Sequence, residues 1–129
     1  MKEEKSTTVL VVDDDVHILR LVSVMLSKTK FVTHCVSSAD AALKWLSNNE
    51  PHVILMDINL PGKDGFGILE DIKKNFDYGN TKVVAFTSII LKDDKDRFIK
   101  AGFDEYFPKP FEKKELLSFL EKIVGEISN

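Results

Sequence analysis

The chain has 129 residues, 43% of them hydrophobic, which is enough for one domain to bury a core without disulfides or a structural metal. Its single cysteine, Cys35, excludes an internal disulfide framework and a cysteine-rich zinc site. The net charge of −3, with acidic and basic residues interspersed, argues against nucleic-acid binding by this chain. The polar start lacks a signal peptide and no window approaches the ~20 apolar residues of a membrane span, so we expect a soluble, cytoplasmic protein without a membrane contact.

Runs rich in Val, Ile, Leu and Phe alternate with segments whose apolar residues recur at helical spacing, which predicts alternating strands and helices. In chain order the predicted elements are strand 8–12, helix 15–27, strand 31–36, helix 39–46, strand 52–56, a helix around 66–72, strand 82–87, a weak helix within 91–102, strand 105–107 and a helix around 116–127. We expect Asp15 and Ser38 to cap the first two helices and Gly102 to end the fourth.

Three of the strand runs are apolar throughout, as strands covered on both faces of a parallel sheet require. Five strand–helix units without a break in composition imply a single doubly wound α/β sheet. We therefore expect one domain over residues 1–129, with a core at about 8–127 and a polar tail at 1–7. The fourth helix offers mainly Phe98, Ile99 and Ala101 for burial, so we expect it to be loosely held.

Several chemically active side chains fall at the carboxyl ends of the predicted strands. They are Asp13 and Asp14 after strand one, Asp57 at the end of strand three before a turn with Gly62 and Gly65, Thr87 at the end of strand four, and Lys109 after strand five. Ligands of doubly wound sheets bind at this edge. Neighbouring carboxylates there repel one another, and a hard cation such as Mg²⁺ relieves the repulsion. The pattern predicts a phosphorylatable aspartate.

Four motifs, in this order, resemble the response-regulator receiver domain, the family of the bacterial chemotaxis regulator. The motifs are Val-Val-Asp13-Asp14, Met-Asp57-Ile-Asn-Leu-Pro-Gly-Lys-Asp-Gly, Phe-Thr87-Ser88 and Tyr106-Phe-Pro-Lys109-Pro110-Phe. The resemblance covers about Thr8 to Ile127, and it rests on the linked set of motifs because any one alone is weak. It implies a flavodoxin-like (βα)5 fold with a five-stranded parallel sheet in the order 2-1-3-4-5.

The resemblance implies that Asp57 takes a phosphoryl group from a phosphohistidine on a sensor histidine kinase or a histidine phosphotransfer protein. The domain would catalyse its own phosphorylation and dephosphorylation without turning over a separate substrate. Mg²⁺, with Mn²⁺ as a possible substitute, would be held by Asp13, Asp14, Asp57 and the backbone carbonyl of Asn59.

By the same resemblance, Lys109 would pair with a phosphoryl oxygen and Thr87 would donate its hydroxyl to another. Ser88 would leave the approach to the phosphoryl group open. Movement of Thr87 would be coupled to an inward turn of Tyr106, and the surface of helix four, strand five and helix five would then change its affinity for a downstream protein or for a second copy of the chain.

Other interpretations stay open. A receiver-like interaction module without phosphorylation would have the same fold. An aspartate-nucleophile phosphatase would need a second carboxylate where Asn59 stands. A flavodoxin-like binding module is disfavoured because the acidic run Asp13–Asp15 would repel the phosphate of a flavin. Asp64 is expected to be a turn residue before Gly65, and Tyr106 could be plain packing. The three histidines, which lack metal-ligand spacing, are expected to be structural or exposed; they are His17, His34 and His52.

Some local features depart from the family pattern or add to it. Pro108 lacks a backbone donor and is expected to truncate strand five. The Lys109–Pro110 bond resembles the family's cis peptide. Ile89 is expected to shield the acyl phosphate from water and lengthen its life. Leu21 and Val24 project away from the core side of helix one and are candidates to dock a partner helix.

Overall fold

The computed structural model describes residues 6–60, 62, 64–76, 79–88 and 94–127. Every predicted element is present within them. The strands are Thr7–Val12 (β1), Phe31–Val36 (β2), Val53–Asp57 (β3), Lys82–Thr87 (β4) and Glu105–Pro108 (β5). The helices are Val16–Leu26 (α1), Ala39–Leu46 (α2), Gly65–Asn75 (α3), Asp94–Ala101 (α4) and Lys113–Ile127 (α5). None of these helices, as far as the chain is described, has the length and hydrophobicity of a membrane span.

All five strands are parallel and lie in the order β2-β1-β3-β4-β5, which confirms the predicted doubly wound, flavodoxin-like sheet. Successive residues of the central strands face opposite sides and pack into two separate cores. Leu10 and Ile54 contribute to one core, and Val11 and Leu55 to the other, because side chains alternate along a strand. Burial on both faces explains why these runs are apolar throughout.

Side-chain caps fix the helix starts that position the site. The Asp15 carboxylate accepts a hydrogen bond from the His17 amide, and the Ser38 hydroxyl accepts one from the Ala41 amide, as predicted. Asp64 is also an N-cap: its carboxylate accepts from the Gly67 amide at 2.9 Å. The prediction of Asp64 as a simple turn residue was therefore wrong, because the helix begins directly after it.

The fourth helix and the fifth strand differ in part from expectation. Gly102, with φ of +112°, follows the last residue of α4, which confirms it as the stop. Phe98 is buried, but Ile99 is 46% exposed and Ala101 is exposed, so the predicted burial of those two was wrong. Pro108 is the last residue of β5 and does not shorten it, because β5 is an edge strand that tolerates a missing donor.

The edge strand β2 carries a stacked pair of rings. His34 of β2 stacks on Trp45 of α2, with ring centroids 4.8 Å apart and planes 16° apart. His52 Nδ1 accepts a hydrogen bond from the Thr8 amide at 3.0 Å, and His17 is exposed. The predicted structural or exposed character of the histidines is confirmed.

Candidate functional site

The site is built around Asp57, the last residue of a strand in which every residue is buried. Asp57 is 7% exposed, and the sheet register places it beside Phe86 of β4. Its Oδ1 accepts a hydrogen bond from the Asn59 amide at 3.1 Å. The apolar strand thus delivers a carboxylate to the carboxyl-terminal edge of the sheet and the loop backbone orients it.

Two more carboxylates lie beside Asp57. Because Val12 of β1 pairs with Met56 of β3, the next residues, Asp13 and Asp57, are brought together at the sheet edge. Oxygen atoms of Asp13, Asp14 and Asp57 all lie within 4.8 Å of one another. Asp13 is 1% exposed, whereas Asp14 is exposed. The spatial grouping expected from the sequence is present.

Lys109, the residue that follows β5, brings a positive charge to this cluster. Its Nζ lies 2.5 Å from Asp13 Oδ2 and 4.0 Å from Asp57 Oδ1. The ammonium also sits over the ring of Phe86, 4.6 Å from the centroid. The backbone amide of Lys109 donates to the Thr87 carbonyl at 2.9 Å, and the Lys109–Pro110 peptide is cis. The lysine is thus held within reach of both buried carboxylates.

The surroundings of Asp57 disfavour the charged form of its carboxyl group. Burial raises the pKa of Asp57, the hydrogen bond from Asn59 and the charge of Lys109 lower it, and the charges of Asp13 and Asp14 raise it; the net shift is upward. Loss of water around the carboxylate is the largest contribution. A positively charged ligand would offset both causes of the upward shift in the pKa of Asp57.

The remaining candidate residues lie around this cluster. Thr87 is 1% exposed and ends β4, next to the pairing partner of Asp57. Ser88 and Asn59 are exposed at the same edge. Tyr106 is half-buried on β5, where it pairs with Ala85 of β4. Ile89, which was predicted to shield the acyl phosphate, lies outside the described residues.

Sequence reasoning missed the position of Gly65, which it assigned to the turn after Asp57. Gly65 is the first residue of α3, and its amide donates to the Ile58 carbonyl at 2.8 Å. A Cβ atom on Gly65 would lie 2.8 Å from the Asp57 carbonyl oxygen and 2.9 Å from Ile58 Cα. The only sequence signal for a glycine requirement at position 65 was its place in the motif around Asp57, because a close approach between two backbones depends on the tertiary fold.

A parallel sheet in the order 2-1-3-4-5, with an acidic cluster and a lysine at its carboxyl-terminal edge, is the arrangement expected of a receiver domain. Comparison with known families agrees: the model described as the response regulator receiver domain matches residues 9–121. The chain belongs to the response regulator receiver domain family.

Individual relatives are consistent with this assignment. Heme response regulator HssR from Staphylococcus epidermidis is 34% identical over 115 residues, which cover 89% of this chain and 50% of the relative. The chain spans about half the length of the curated relatives it matches. The chemotaxis response regulator CheY4 of Vibrio cholerae has a TM-score of 0.85 at 24% identity, covering 92% of this chain and 99% of that chain, and supports the fold alone.

A further solved structure bears on the acidic cluster. The receiver domain of a sensor histidine kinase from Pseudomonas aeruginosa has a TM-score of 0.82 at 25% identity, covering 93% of this chain and 98% of that chain. That domain was solved with a magnesium ion coordinated in its active site cleft.

Proposed function

We propose that this chain is a phosphorylation-switched signalling domain of a two-component system. Asp57 accepts a phosphoryl group from a phosphohistidine on a sensor histidine kinase or a histidine phosphotransfer protein. A bond forms between an Asp57 carboxylate oxygen and phosphorus, the phosphorus–nitrogen bond breaks, and the imidazole leaves with the electron pair. The observation that carries the proposal is the grouping of Asp13, Asp14 and Asp57 at one sheet edge, with the ammonium of Lys109 beside Asp13 and Asp57.

The donor set of the cluster fits a hard divalent cation. Asp13, Asp14 and Asp57 offer carboxylate oxygens within 4.8 Å of one another, and Asn59 has a backbone carbonyl two residues after Asp57. We assign these four residues as the holders of Mg²⁺, with Mn²⁺ as a substitute. When bound, the cation supplies positive charge that neutralises the oxygens of the transferring group. The magnesium in the Pseudomonas aeruginosa receiver domain supports this assignment.

The chain's own side chains complete the chemistry. The Lys109 ammonium lies 4.0 Å from Asp57 Oδ1, so a small movement away from Asp13 brings it to an oxygen of a phosphoryl group on Asp57. The Thr87 hydroxyl donates to another phosphoryl oxygen. The exposed Ser88 leaves the approach open. Because Asp57 attacks as a carboxylate, no general base on the protein is required for the transfer, and the leaving imidazole takes up a proton from solvent.

In the proposed switch, phosphorylation changes the protein-binding surface of the domain. An acyl phosphate adds a doubly charged group at one end of the sheet, and it shifts the conformation by its different interactions with the two states. Thr87 and Tyr106 are the residues that move, and the surface of α4, β5 and α5 is where a downstream protein or a second copy of the chain binds. We assign residues 1–129 to this one receiver unit.

Small-molecule phosphorylation tests the proposal directly. The chain is incubated with acetyl phosphate and Mg²⁺, and the intact mass is followed. We expect the gain of one phosphoryl group, and we expect none when a chelator replaces Mg²⁺ from the start or when the chain carries Asp57→Asn. The matched control is Asp64→Asn, because Asn also caps helices well and Asp64 is exposed at the same end of the sheet.

Two results would contradict the proposal. Labelling that persists in Asp57→Asn would move the acceptor elsewhere. A wild-type chain that gains no phosphoryl group with Mg²⁺, from acetyl phosphate or from a phosphorylated histidine protein, would instead favour the interaction module without phosphorylation.

A further inference from the structure

An aromatic cluster lies between α3, α4 and β5, beside the proposed switch residue. Its members are Phe66, Phe98, Phe103 and Tyr106. The ring centroid of Phe98 is 5.9 Å from that of Phe66, 6.1 Å from that of Phe103 and 6.3 Å from that of Tyr106. Phe98 is therefore the member in contact with the other three.

Phe98 is also the residue through which α4 packs on the core. Within Asp94–Ala101, the buried residues are Asp94 and Phe98, so Phe98 supplies the buried apolar side chain of the helix. Phe98 is 2% exposed, whereas its neighbour Ile99 is 46% exposed. A helix attached to the core mainly by one ring moves when the neighbours of that ring move.

Tyr106 is packed against α4 by two residues of one helix face. Phe98 meets the Tyr106 ring at an interplanar angle of 45°, and Lys95 Nζ lies 6.0 Å from the centroid of the same ring. Lys95 and Phe98 are three residues apart, which places them on the same side of α4. A Tyr106 ring that turns inward toward Thr87 has to change these contacts.

The same cluster reaches the backbone of the phosphorylation site. Phe66 directly follows Gly65, whose amide donates to Ile58, the residue after Asp57. The Phe66 ring contacts Phe98, and the Arg97 guanidinium lies over Phe66, 4.8 Å from its centroid. A continuous series of contacts thus joins the loop after Asp57 to α4 and from there to Tyr106.

We propose that Phe98 is a positioning residue that couples the orientation of Tyr106 to phosphoryl binding at Asp57. This inference rests on the proposed function and adds the residue that regulates it. In this structure the Phe98–Tyr106 contact is present together with the Lys109–Asp13 ion pair. An inward turn of Tyr106 gives up that contact, so removal of the Phe98 ring makes the turn less costly and strengthens phosphoryl binding by linkage.

The test is a calorimetric titration of the whole chain with beryllofluoride in the presence of Mg²⁺, which measures the apparent Kd. Phe98→Leu keeps apolar bulk but removes the ring. We expect its apparent Kd for beryllofluoride to fall about three- to tenfold, which is the change in affinity that corresponds to the energy of one aromatic contact. Phe98→Met, whose flexible side chain fills the same space, is the second variant in case Phe98→Leu does not fold.

Two matched controls separate this coupling from general loosening. Phe103→Leu removes an equally buried ring that packs on Phe66 and Phe98, and Phe31→Leu removes a ring that is 4% exposed on β2 at the far edge of the sheet. Both should lose stability in urea. Phe31→Leu, which belongs to the other core, should change the apparent Kd less than about twofold, and Phe103→Leu, whose ring contacts Phe98, should change it less than Phe98→Leu does.

A double-mutant cycle makes the inference falsifiable. In the Tyr106→Leu background, Phe98→Leu should no longer change the affinity for beryllofluoride, because the contact is already lost. An unchanged or weakened affinity in Phe98→Leu, an equal gain in Phe103→Leu, or additive effects in the double mutant would overturn the coupling. A wild-type chain that does not bind beryllofluoride would overturn the proposed function together with it.

Discussion

Gly65→Ala is the sharpest test of how closely α3 must approach the proposed phosphorylation site. The added Cβ would lie 2.8 Å from the Asp57 carbonyl oxygen and 2.9 Å from Ile58 Cα. Relaxed contacts between such atoms are about 3.5 Å or longer, so the two backbones must separate by roughly 0.6 Å. The opposing atoms belong to the main chain and cannot rotate away as a flexible side chain would.

The expected magnitude follows from two opposing effects. Overpacking costs about 1–3 kcal/mol. Replacing glycine by alanine in a helix recovers up to about 1 kcal/mol, and less at the first helical position. We therefore expect a net loss of about 1–2 kcal/mol in the free energy of unfolding. Because the displaced carbonyl belongs to Asp57 itself, labelling by acetyl phosphate should slow about tenfold.

Urea unfolding followed by fluorescence of the single tryptophan measures the stability, and intact mass measures the labelling rate. Gly125→Ala is the matched control: Gly125 lies in α5 and nothing is within 4 Å of its added Cβ. That variant should gain about 0.5–1 kcal/mol and label normally. If Gly65→Ala proved as stable and as reactive as Gly125→Ala, the close approach of α3 to Asp57 would be refuted.

Three other predictions concern charge, metal and docking. Burial and neighbouring acids raise the pKa of Asp57 in the folded state above its unfolded value, so without metal the free energy of unfolding should fall as the pH rises from the unfolded pKa through the folded pKa. Urea unfolding in EDTA should show this pH dependence in the wild type, and Asp57→Asn should be more stable and depend less on pH. Mg²⁺ at about 100 times its Kd should stabilise the wild type by about 2.7 kcal/mol, and most of that shift should be absent in Asp14→Asn but present in Asp64→Asn. Leu21, 40% exposed on α1, should dock the donor: Leu21→Glu should slow transfer from a phosphohistidine protein and leave labelling by acetyl phosphate unchanged, whereas equal loss with both donors would remove the docking role.

The sequence predicted the fold and the grouping of the acids because both follow from short-range patterns. Buried parallel strands are apolar throughout, and Asp13 and Asp57 directly follow or end two of them. Once β1 and β3 are neighbours, their carboxyl ends must bring these side chains together. The strand order itself came from the family resemblance, since strand patterns alone leave the neighbours undetermined.

The errors arose where one local pattern serves two structures. Asp64 before a glycine fits a turn and an N-cap equally, and only the start of α3 decides between them. Phe98 and Ile99 are adjacent apolar residues, so sequence could not tell which one faces the core. Pro108 is compatible with β5 because that strand lies at the sheet edge, which depends on the strand order.

The ring pair at β2 determines which motions intrinsic fluorescence can detect. Trp45, stacked on His34 at the β2 edge, lies on the same face of the sheet as α4 but at the opposite edge, so its emission should follow unfolding more than a displacement of that helix. A reporter for α4 has to be introduced, and Ile99→Cys offers an exposed attachment point. Burial raises the pKa of the Cys35 thiol, so at neutral pH a maleimide dye would react preferentially with the new cysteine.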